Sequence, residues 1–180
     1  VTVLDANGDG FPDLFVGGKV VPGRYPETPE SKFLINDGTG KFTDQSSTFL
    51  PNQGKLGMIT GAVCQDLNGD QKADLILVGE FTAPIALINQ DGKPFEDQSS
   101  TYFPANLSGW WSDLVQADID GDGDLDLVVT SGGNESGFGS LDLADRIYLN
   151  DGKGNFSKHT LSGLNSVFGS SSSVGVIDIN

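Results

Sequence analysis

One acidic nine-residue segment occurs three times in the chain, and this repeat constrains the fold more than any other feature. It reads DANGDGFPD from Asp5, DLNGDQKAD from Asp66 and DIDGDGDLD from Asp118, and a fourth copy begins as DIN at Asp178. The copies start about 50 to 60 residues apart. A period of this length is typical of proteins in which each repeat is one supersecondary unit.

Short apolar segments flank each acidic segment, and a second shared element follows downstream. VTVL, GAVCQ and LVQA precede the three complete copies, and LFVGG, LILVG and LVVTS follow them. The downstream element combines an apolar stretch, an Asn, a Gly-rich turn and a Phe, at 33–47, 86–100 and 147–161. Two β-rich runs joined by an Asp-Gly turn predict a hairpin. We therefore predict four short strands in each repeat, with the acidic loop between the first strand and the second. The sequence has no helical periodicity.

Four-stranded units that repeat at this length predict the blades of a β-propeller. The predicted fold class is all-β, with four-stranded antiparallel blades at about 1–49, 57–102 and 110–161 and an incomplete fourth blade at 168–180. A propeller closes with about four to eight blades, and open sheet edges invite aggregation. We therefore expect the chain to be a segment of a longer propeller, and a three-repeat unit that closes its ring by oligomerising is the alternative.

The net charge is strongly negative, −15 at pH 7, with 25 acidic residues against 10 basic ones. Nucleic acid is not expected as a partner, because phosphate binding needs a basic footprint. Direct membrane insertion is not expected either, because no apolar run approaches the roughly 20 residues of a membrane span. Cys64 is the single cysteine, so cysteine usage does not establish the compartment.

Oxygen-bearing side chains occupy positions 1, 3, 5 and 9 of each acidic loop, and position 7 would add a backbone carbonyl. Ca²⁺ takes about six to eight oxygen ligands in irregular geometry, whereas Mg²⁺ prefers a strict octahedron and transition metals favour His or Cys. The spacing therefore predicts calcium sites. The predicted ligands, loop by loop, are Asp5, Asn7, Asp9, Phe11 and Asp13; Asp66, Asn68, Asp70, Lys72 and Asp74; and Asp118, Asp120, Asp122, Asp124 and Asp126.

We expect about three Ca²⁺ per chain, with the second loop the weakest site. Gln71 stands there where the other loops have Gly, and Lys72 brings a positive charge beside the site. An EF-hand is excluded, because it requires Glu at position 12 and flanking helices, whereas these copies have Val16, Leu77 and Val129. An acidic hairpin turn without metal is the alternative, and three copies with the same spacing disfavour it.

The pattern D-x-[DN]-x-D-G-x-x-D between strands resembles the FG-GAP/VCBS repeats of integrin alpha-subunit propellers and of many secreted bacterial proteins. FVGGKVVPGRYP at 15–26 and GWWSDLVQADIDGDGDLDLVV at 109–129 are more narrowly similar to bacterial VCBS proteins related to cartilage acidic protein, which often carry an ASPIC/UnbV domain. No ASPIC/UnbV segment is visible, and Gln71 departs from the motif. The resemblance implies a secreted, extracellular or cell-surface propeller with structural Ca²⁺. High free calcium outside cells would fill such loops.

Strand order places the acidic loops at one end of each blade and the connections between strands two and three at the other end. Two of these connections are long, at 17–31 and 131–145, and long irregular loops on a rigid scaffold usually carry binding. We expect a protein or glycan ligand on this loop face, besides the rest of the same propeller or other subunits. The candidate contact residues are Arg24, Tyr25, Trp110 and Trp111. Tandem tryptophans on a strand point to opposite sides, so one would be more exposed, unless both pack between blades.

No catalytic residues are predicted. The single histidine, His159, falls in the fourth strand of the third repeat, and no activated Ser or Cys context accompanies it. The sequence therefore favours a non-enzymatic calcium-binding scaffold for adhesion, protein–protein interaction or cell-surface assembly. The alternative is a carbohydrate-binding module or glycan-active enzyme that uses the loop face opposite the calcium sites.

Overall fold

The computed structural model describes residues 1–103, 107–133, 140, 143–159 and 169–177. These residues form antiparallel β-sheets, and each of the three repeats contributes four strands in chain order. The prediction of an all-β chain built from propeller-type blades is thus confirmed. No helix in the described ranges has the length and apolar character that a membrane crossing requires.

The strands of each repeat pair antiparallel, one to two, two to three and three to four. The first repeat contains β1 (Thr2–Leu4), β2 (Asp13–Val16), β3 (Lys32–Asn36) and β4 (Phe42–Asp44). The second contains β5 (Met58–Gln65), β6 (Asp74–Thr82), β7 (Ile85–Ile88) and β8 (Glu96–Asp97). The third contains β9 (Gly109–Ala117), β10 (Asp126–Ser131), β11 (Arg146–Asn150) and β12 (Phe156–His159). The second strand of each repeat therefore begins with the last aspartate of that repeat's acidic loop.

Neighbouring repeats meet where the first strand of one lies beside the end of the second strand of the previous one. The Ile59 amide donates to the Gly18 carbonyl at 2.7 Å, and β9 pairs with β6 at Glu80 and Trp110. The Ser171 amide donates to the Ser131 carbonyl at 2.9 Å, so the segment 169–177 lies beside the third repeat in the same way. The predicted fourth acidic segment, from Asp178, lies outside the described residues.

Two one-turn helices, α1 (Ser46–Phe49) and α2 (Ser99–Tyr102), follow the last strands of the first two repeats, and a 3₁₀ turn (Pro51–Gly54) follows α1. The sequence predicted no helix, since a single turn carries no helical period. Both helices begin in the shared DQSS segment. The Asp44 carboxylate accepts the Ser46 amide at 3.0 Å, and the Ser46 hydroxyl accepts the Phe33 amide at 2.9 Å. The second repeat has the same two bonds: the Asp97 carboxylate accepts the Ser99 amide, and the Ser99 hydroxyl accepts the Ala86 amide.

The core consists of two apolar clusters, one on each face of β6. Leu75 and Leu77 point into the cluster shared with the first repeat, whereas Ile76 and Val78 point into the cluster shared with the third. All four side chains are fully buried. Because side chains alternate along a strand, a strand buried on both faces is apolar throughout. The sheets are thereby fixed against one another, and the acidic loops extend from their ends.

Trp110 and Trp111 are both buried, with exposed fractions of 7% and 0%. The strand that carries them, β9, pairs with β10 and with the end of β6, and Trp111 belongs to the apolar cluster that the second and third repeats share. The Phe81 ring packs 4.7 Å from that of Trp110, and the indole nitrogen of Trp111 donates to the Thr82 carbonyl at 2.8 Å. The expectation of one more exposed tryptophan is therefore wrong, and the alternative, in which both pack inside, is correct.

Candidate metal centres in the acidic loops

The aspartate at position 1 organises each acidic loop through two backbone hydrogen bonds. Its carboxylate in the first loop, Asp5, accepts the amides of Gly8 and Gly10, both at 2.8 Å. The same two bonds recur in the other loops, at Asp66 from Gly69 and Gln71, and at Asp118 from Gly121 and Gly123. A short chain segment is thereby wrapped around one carboxylate.

The aspartate at position 9 is fully buried and joins the loop to the third strand of its own repeat. Asp13 accepts the Ala6 amide at 3.0 Å and the Asn36 amide at 2.9 Å. Asp74 accepts the backbone amides of Leu67 and Asn89, and Asp126 accepts those of Ile119 and Asn150, at 2.7–2.9 Å. Each of these carboxylates therefore closes the loop and fixes it to the sheet.

Three asparagines at or just after the ends of the third strands complete this framework, a role that was not predicted from the sequence. Asn36, Asn89 and Asn150 donate their side-chain amides to the carbonyl at position 8 of the loop, at 3.1–3.3 Å. Their side-chain oxygens accept amides of the following turn. The same Asn occurs in all three downstream elements of the sequence, and this recurrence could have identified it.

In the third loop three predicted ligands lie close to one another. One carboxylate oxygen from each of Asp118, Asp120 and Asp126 lies within 4.8 Å of the other two. Two oxygens bound to one Ca²⁺ at about 2.4 Å can be at most about 4.8 Å apart, so this spacing suits a single ion. Asp118 and Asp120 are exposed and Asp126 is buried, so the group opens toward solvent on one side.

At positions 3 and 5, side-chain oxygens make local turns in all three loops. In the first loop, Asn7 accepts the Asp9 amide at 3.1 Å and Asp9 accepts the Phe11 amide at 2.9 Å. Asn68, Asp70, Asp120 and Asp122 make the equivalent bonds. The position 7 side chains differ: Phe11 is exposed, Lys72 pairs with Asp91, and Asp124 is half-buried. The assignment of a carbonyl ligand at position 7 stays a prediction.

The protein environment raises the pKa of several loop carboxylates. Burial raises the pKa of Asp13, and it raises the pKa of Asp74 to about 6, although backbone hydrogen bonds oppose the shift. Partial desolvation raises the pKa of Asp120, and the nearby carboxylates of Asp122 and Asp126 add to this effect. Clustered negative charge is thus disfavoured in these loops, and a bound cation would relieve it.

The second loop keeps the shared hydrogen bonds with a different composition. Gln71 adopts a left-handed φ of 67° where Gly10 and Gly123 have φ of 84° and 97°. The Lys72 ammonium lies 3.3 Å from the Asp91 carboxylate in the turn between β7 and β8. A cation is therefore already present beside this loop, on the protein itself.

On the opposite end of the sheets, the long connection of the first repeat reaches the second repeat. The Tyr25 hydroxyl donates to a Glu80 carboxylate oxygen at 3.3 Å, and Arg24 forms an exposed ion pair with Glu27 at 3.2 Å. Two polar cavities open beside this connection. One of about 360 Å³ is lined by Val21, Arg24, Glu27, Thr28, Pro29, Glu30 and Lys55, and one of about 330 Å³ by Glu30, Lys32, Asp44, Ser46, Ser47 and Gln53.

Repeated four-stranded units with an acidic loop between their first two strands define a protein of the β-propeller repeat class. A family model for the FG-GAP-like repeat matches residues 5–77 and 66–129, which include all three acidic loops and most of the chain. The chain belongs to the family of FG-GAP-like repeat proteins. No curated protein matches the chain. Family membership indicates a β-propeller scaffold for protein interaction, and the narrower likeness to VCBS proteins with ASPIC/UnbV domains stays a prediction.

Proposed function

We propose that this chain is a calcium-stabilised propeller scaffold that a secreted or cell-surface protein uses for adhesion, protein–protein interaction or assembly. The observation that carries the proposal is the approach of carboxylate oxygens from Asp118, Asp120 and Asp126 to within 4.8 Å of one another. The first two loops support it, because they have the same hydrogen-bonded framework. Family membership supports the scaffold part of the proposal.

The donor set fits calcium. The side chains at positions 1, 3, 5 and 9 are aspartates and asparagines, which offer hard oxygen ligands, and the loops contain no His or Cys. When bound, Ca²⁺ would supply two positive charges that offset the repulsion among these carboxylates. The buried aspartates would hold the ion sites against the third strands through the bonds to Asn36, Asn89 and Asn150.

We propose about three ions per chain, with the second loop the weakest site. Lys72 lies at position 7 of that loop, and its exposed ion pair with Asp91 keeps an ammonium group beside the carboxylates. A nearby positive charge lowers the affinity of a site for a dication. Oxygen-only loops that open to solvent fill at high free calcium, which supports an extracellular location.

The first test combines metal analysis of the untreated protein with thermal unfolding in calcium and in excess chelator. We expect Ca²⁺ in preference to Mg²⁺, close to three ions per chain, and a melting temperature that falls sharply on chelation. Anything that binds only the folded state stabilises it by mass action. No bound metal together with an unchanged melting temperature would contradict the calcium proposal.

For the partner site we propose the loop face around Arg24 and Tyr25, and we propose that binding there involves no catalysis. Arg24 is largely exposed, with a side-chain exposure of 66%, and it lines an open cavity of about 360 Å³. Arg24→Ala should weaken partner binding and leave the calcium-dependent melting temperature unchanged. Lys158→Ala, on the outer strand β12, is the matched control for loss of one exposed cation.

The polar cavities beside the same connection favour one second candidate, a glycan-binding or glycan-active site. Their walls combine acidic, basic and hydroxyl side chains, which suit hydrogen bonding to sugar hydroxyls. A glycan array read with and without Arg24→Ala distinguishes the candidates. Binding of a defined glycan that the variant abolishes would favour this second candidate, and turnover of that glycan would contradict the non-enzymatic proposal.

A further inference from the structure

We infer that the turn at residues 89–92 couples the first two acidic loops, so that order in one loop stabilises the other. This turn joins β7 to β8 in the second repeat, and it contacts both the loop of its own repeat and the loop of the preceding one. The consequence for ion affinity depends on the proposed function, whereas the coupling of loop order does not.

The turn binds the second loop through three contacts. The Asn89 amide donates to the buried Asp74 carboxylate at 2.7 Å, and the Asn89 side-chain amide donates to the Ala73 carbonyl at 3.3 Å. The Asp91 carboxylate lies 3.3 Å from the Lys72 ammonium. Positions 7, 8 and 9 of the second loop are therefore all held by the turn.

The same turn also binds the first loop. The Gly92 amide donates to the Ala6 carbonyl at 3.1 Å, and the Asn89 side-chain amide makes a long contact of 3.5 Å with the Asp5 carbonyl. Asp91 lies against Gly8, since a Cβ at that glycine would be 3.1 Å from a carboxylate oxygen of Asp91. The turn thus touches positions 1, 2 and 4 of the first loop.

These contacts form a continuous chain of bonds between the two position 9 aspartates. The Ala6 amide donates to the Asp13 carboxylate at 3.0 Å, and the Ala6 carbonyl accepts the Gly92 amide of the turn. At the other end of the turn, the Asn89 amide donates to Asp74. An ion that orders the first loop would therefore fix the turn and reduce the entropy lost when the second loop is ordered.

Asp91 has a left-handed backbone conformation, which aspartate tolerates better than most residues other than glycine. Its φ is 57°, where Gly38 and Gly152 occupy the equivalent positions of the other turns with φ of 78° and 72°. In the described residues Asn89 is the one asparagine of the three with side-chain contacts to two loops.

Amide hydrogen exchange of the full chain in chelator tests the coupling without any ion. Asn36→Ala removes a side-chain bond to the first loop and lies outside the 89–92 turn. We expect it to speed exchange at Gly8 and Gly10 directly and at Gly69 and Gln71 by about fivefold, a typical coupling between sites. In an Asn89→Ala background, the effect on the second loop should disappear. Faster exchange in the first loop with no change in the second would overturn the inference.

Two further variants keep the test decisive if Asn36→Ala does not fold. Asp91→Gly suits the left-handed backbone and removes the ion pair with Lys72, so it should speed exchange in both loops. Exchange faster only in the second loop would overturn the inference. Asp9→Asn weakens the first ion site, and it should lower the calcium affinity of the second loop about fivefold, but not when Asn89→Ala is also present. If no calcium binds at all, the proposed function fails and the exchange experiment still decides the coupling.

Discussion

The second and third acidic loops share one hydrogen-bonded framework and differ in almost every property that bears on a cation. In both loops the position 1 aspartate accepts the backbone amides of positions 4 and 6, and the position 9 aspartate joins the loop to an asparagine. The third loop has five aspartates within nine residues, whereas the second has three aspartates and Lys72. The shape of the loop and the charge of the loop are therefore set by different positions.

Aspartate has two different roles in these loops. Asp74 and Asp126 are buried and bond backbone amides, so they maintain the fold of the loop whether or not an ion is bound. Asp70 and Asp122 are exposed and make a local bond to the amide two residues ahead. Substitution of a position 9 aspartate should therefore affect stability differently from substitution of a position 5 aspartate. For each of these positions, the effect should be the same in the second loop and in the third.

The largest expected effect is the loss of a position 9 carboxylate. Asp74→Ala and Asp126→Ala each leave two amides without an acceptor, and each unsatisfied buried group costs about 1–3 kcal/mol. We expect the free energy of unfolding in chelator to fall by about 3–5 kcal/mol in both variants. Urea unfolding measures it, with Asp70→Ala and Asp122→Ala as exposed controls that lose about 1 kcal/mol or less. A position 9 variant as stable as its control would show that the two loops do not share a framework.

The next effect is a dependence on pH that comes from Asp74. Because its pKa is raised from 3.8 to about 6 in the folded protein, the ion-free folded state holds a proton that the unfolded state releases. In chelator, the contribution of Asp74 to the free energy of unfolding should therefore be fully present below pH 4 and be lost as the pH rises through 6, by at most about 3 kcal/mol. Calcium favours the carboxylate, so the difference in melting temperature between calcium and chelator should grow from pH 5 to pH 7.

Asp74→Asn is the matched variant for this pH dependence. Asn does not titrate, so the variant should have a shallower fall in stability between pH 4 and pH 7 in chelator, whatever its absolute stability. An equally steep fall in the variant would assign the dependence to other groups. The difference in slope between the wild-type protein and the variant, measured by thermal unfolding, is the decisive readout.

The sequence predicted the strands and the acidic loops because both are local patterns. Alternating or continuous apolar runs mark strands, and the spacing of Asp5, Asn7, Asp9 and Asp13 follows from one short loop. The role of Asn89 could not be read in the same way, because its contacts with Asp5 and Ala73 join segments far apart in the chain. The burial of both tryptophans likewise depends on contacts with Phe81 and Thr82 of the second repeat, which only the assembled sheets bring together.

A smaller effect concerns charge at position 3, where the third loop has Asp120 and the second has Asn68. Asp120→Asn removes one carboxylate from the group of three and should lower the calcium affinity of the third loop about tenfold, or about 1.4 kcal/mol. Asn68→Asp is the reciprocal change and should raise the affinity of the second loop. Site-resolved NMR titration with calcium measures both. Equal affinities before and after the two changes would mean that loop charge does not control binding.

The smallest effect concerns position 6, where the backbone is left-handed in both loops. Gln71 has a φ of 67° and Gly123 a φ of 97°. Gln71→Gly removes a conformational cost of about 1–2 kcal/mol but adds freedom to the unfolded chain, so we expect a net gain of only about 0.5 kcal/mol. Gly123→Gln makes the opposite change and should lose about the same amount. Urea unfolding of the two variants in chelator measures the pair. Changes in the free energy of unfolding with opposite signs and similar size would show that Gln71 adopts the left-handed backbone of the shared loop against its own preference. No loss of stability in Gly123→Gln would mean that position 6 does not constrain the loop.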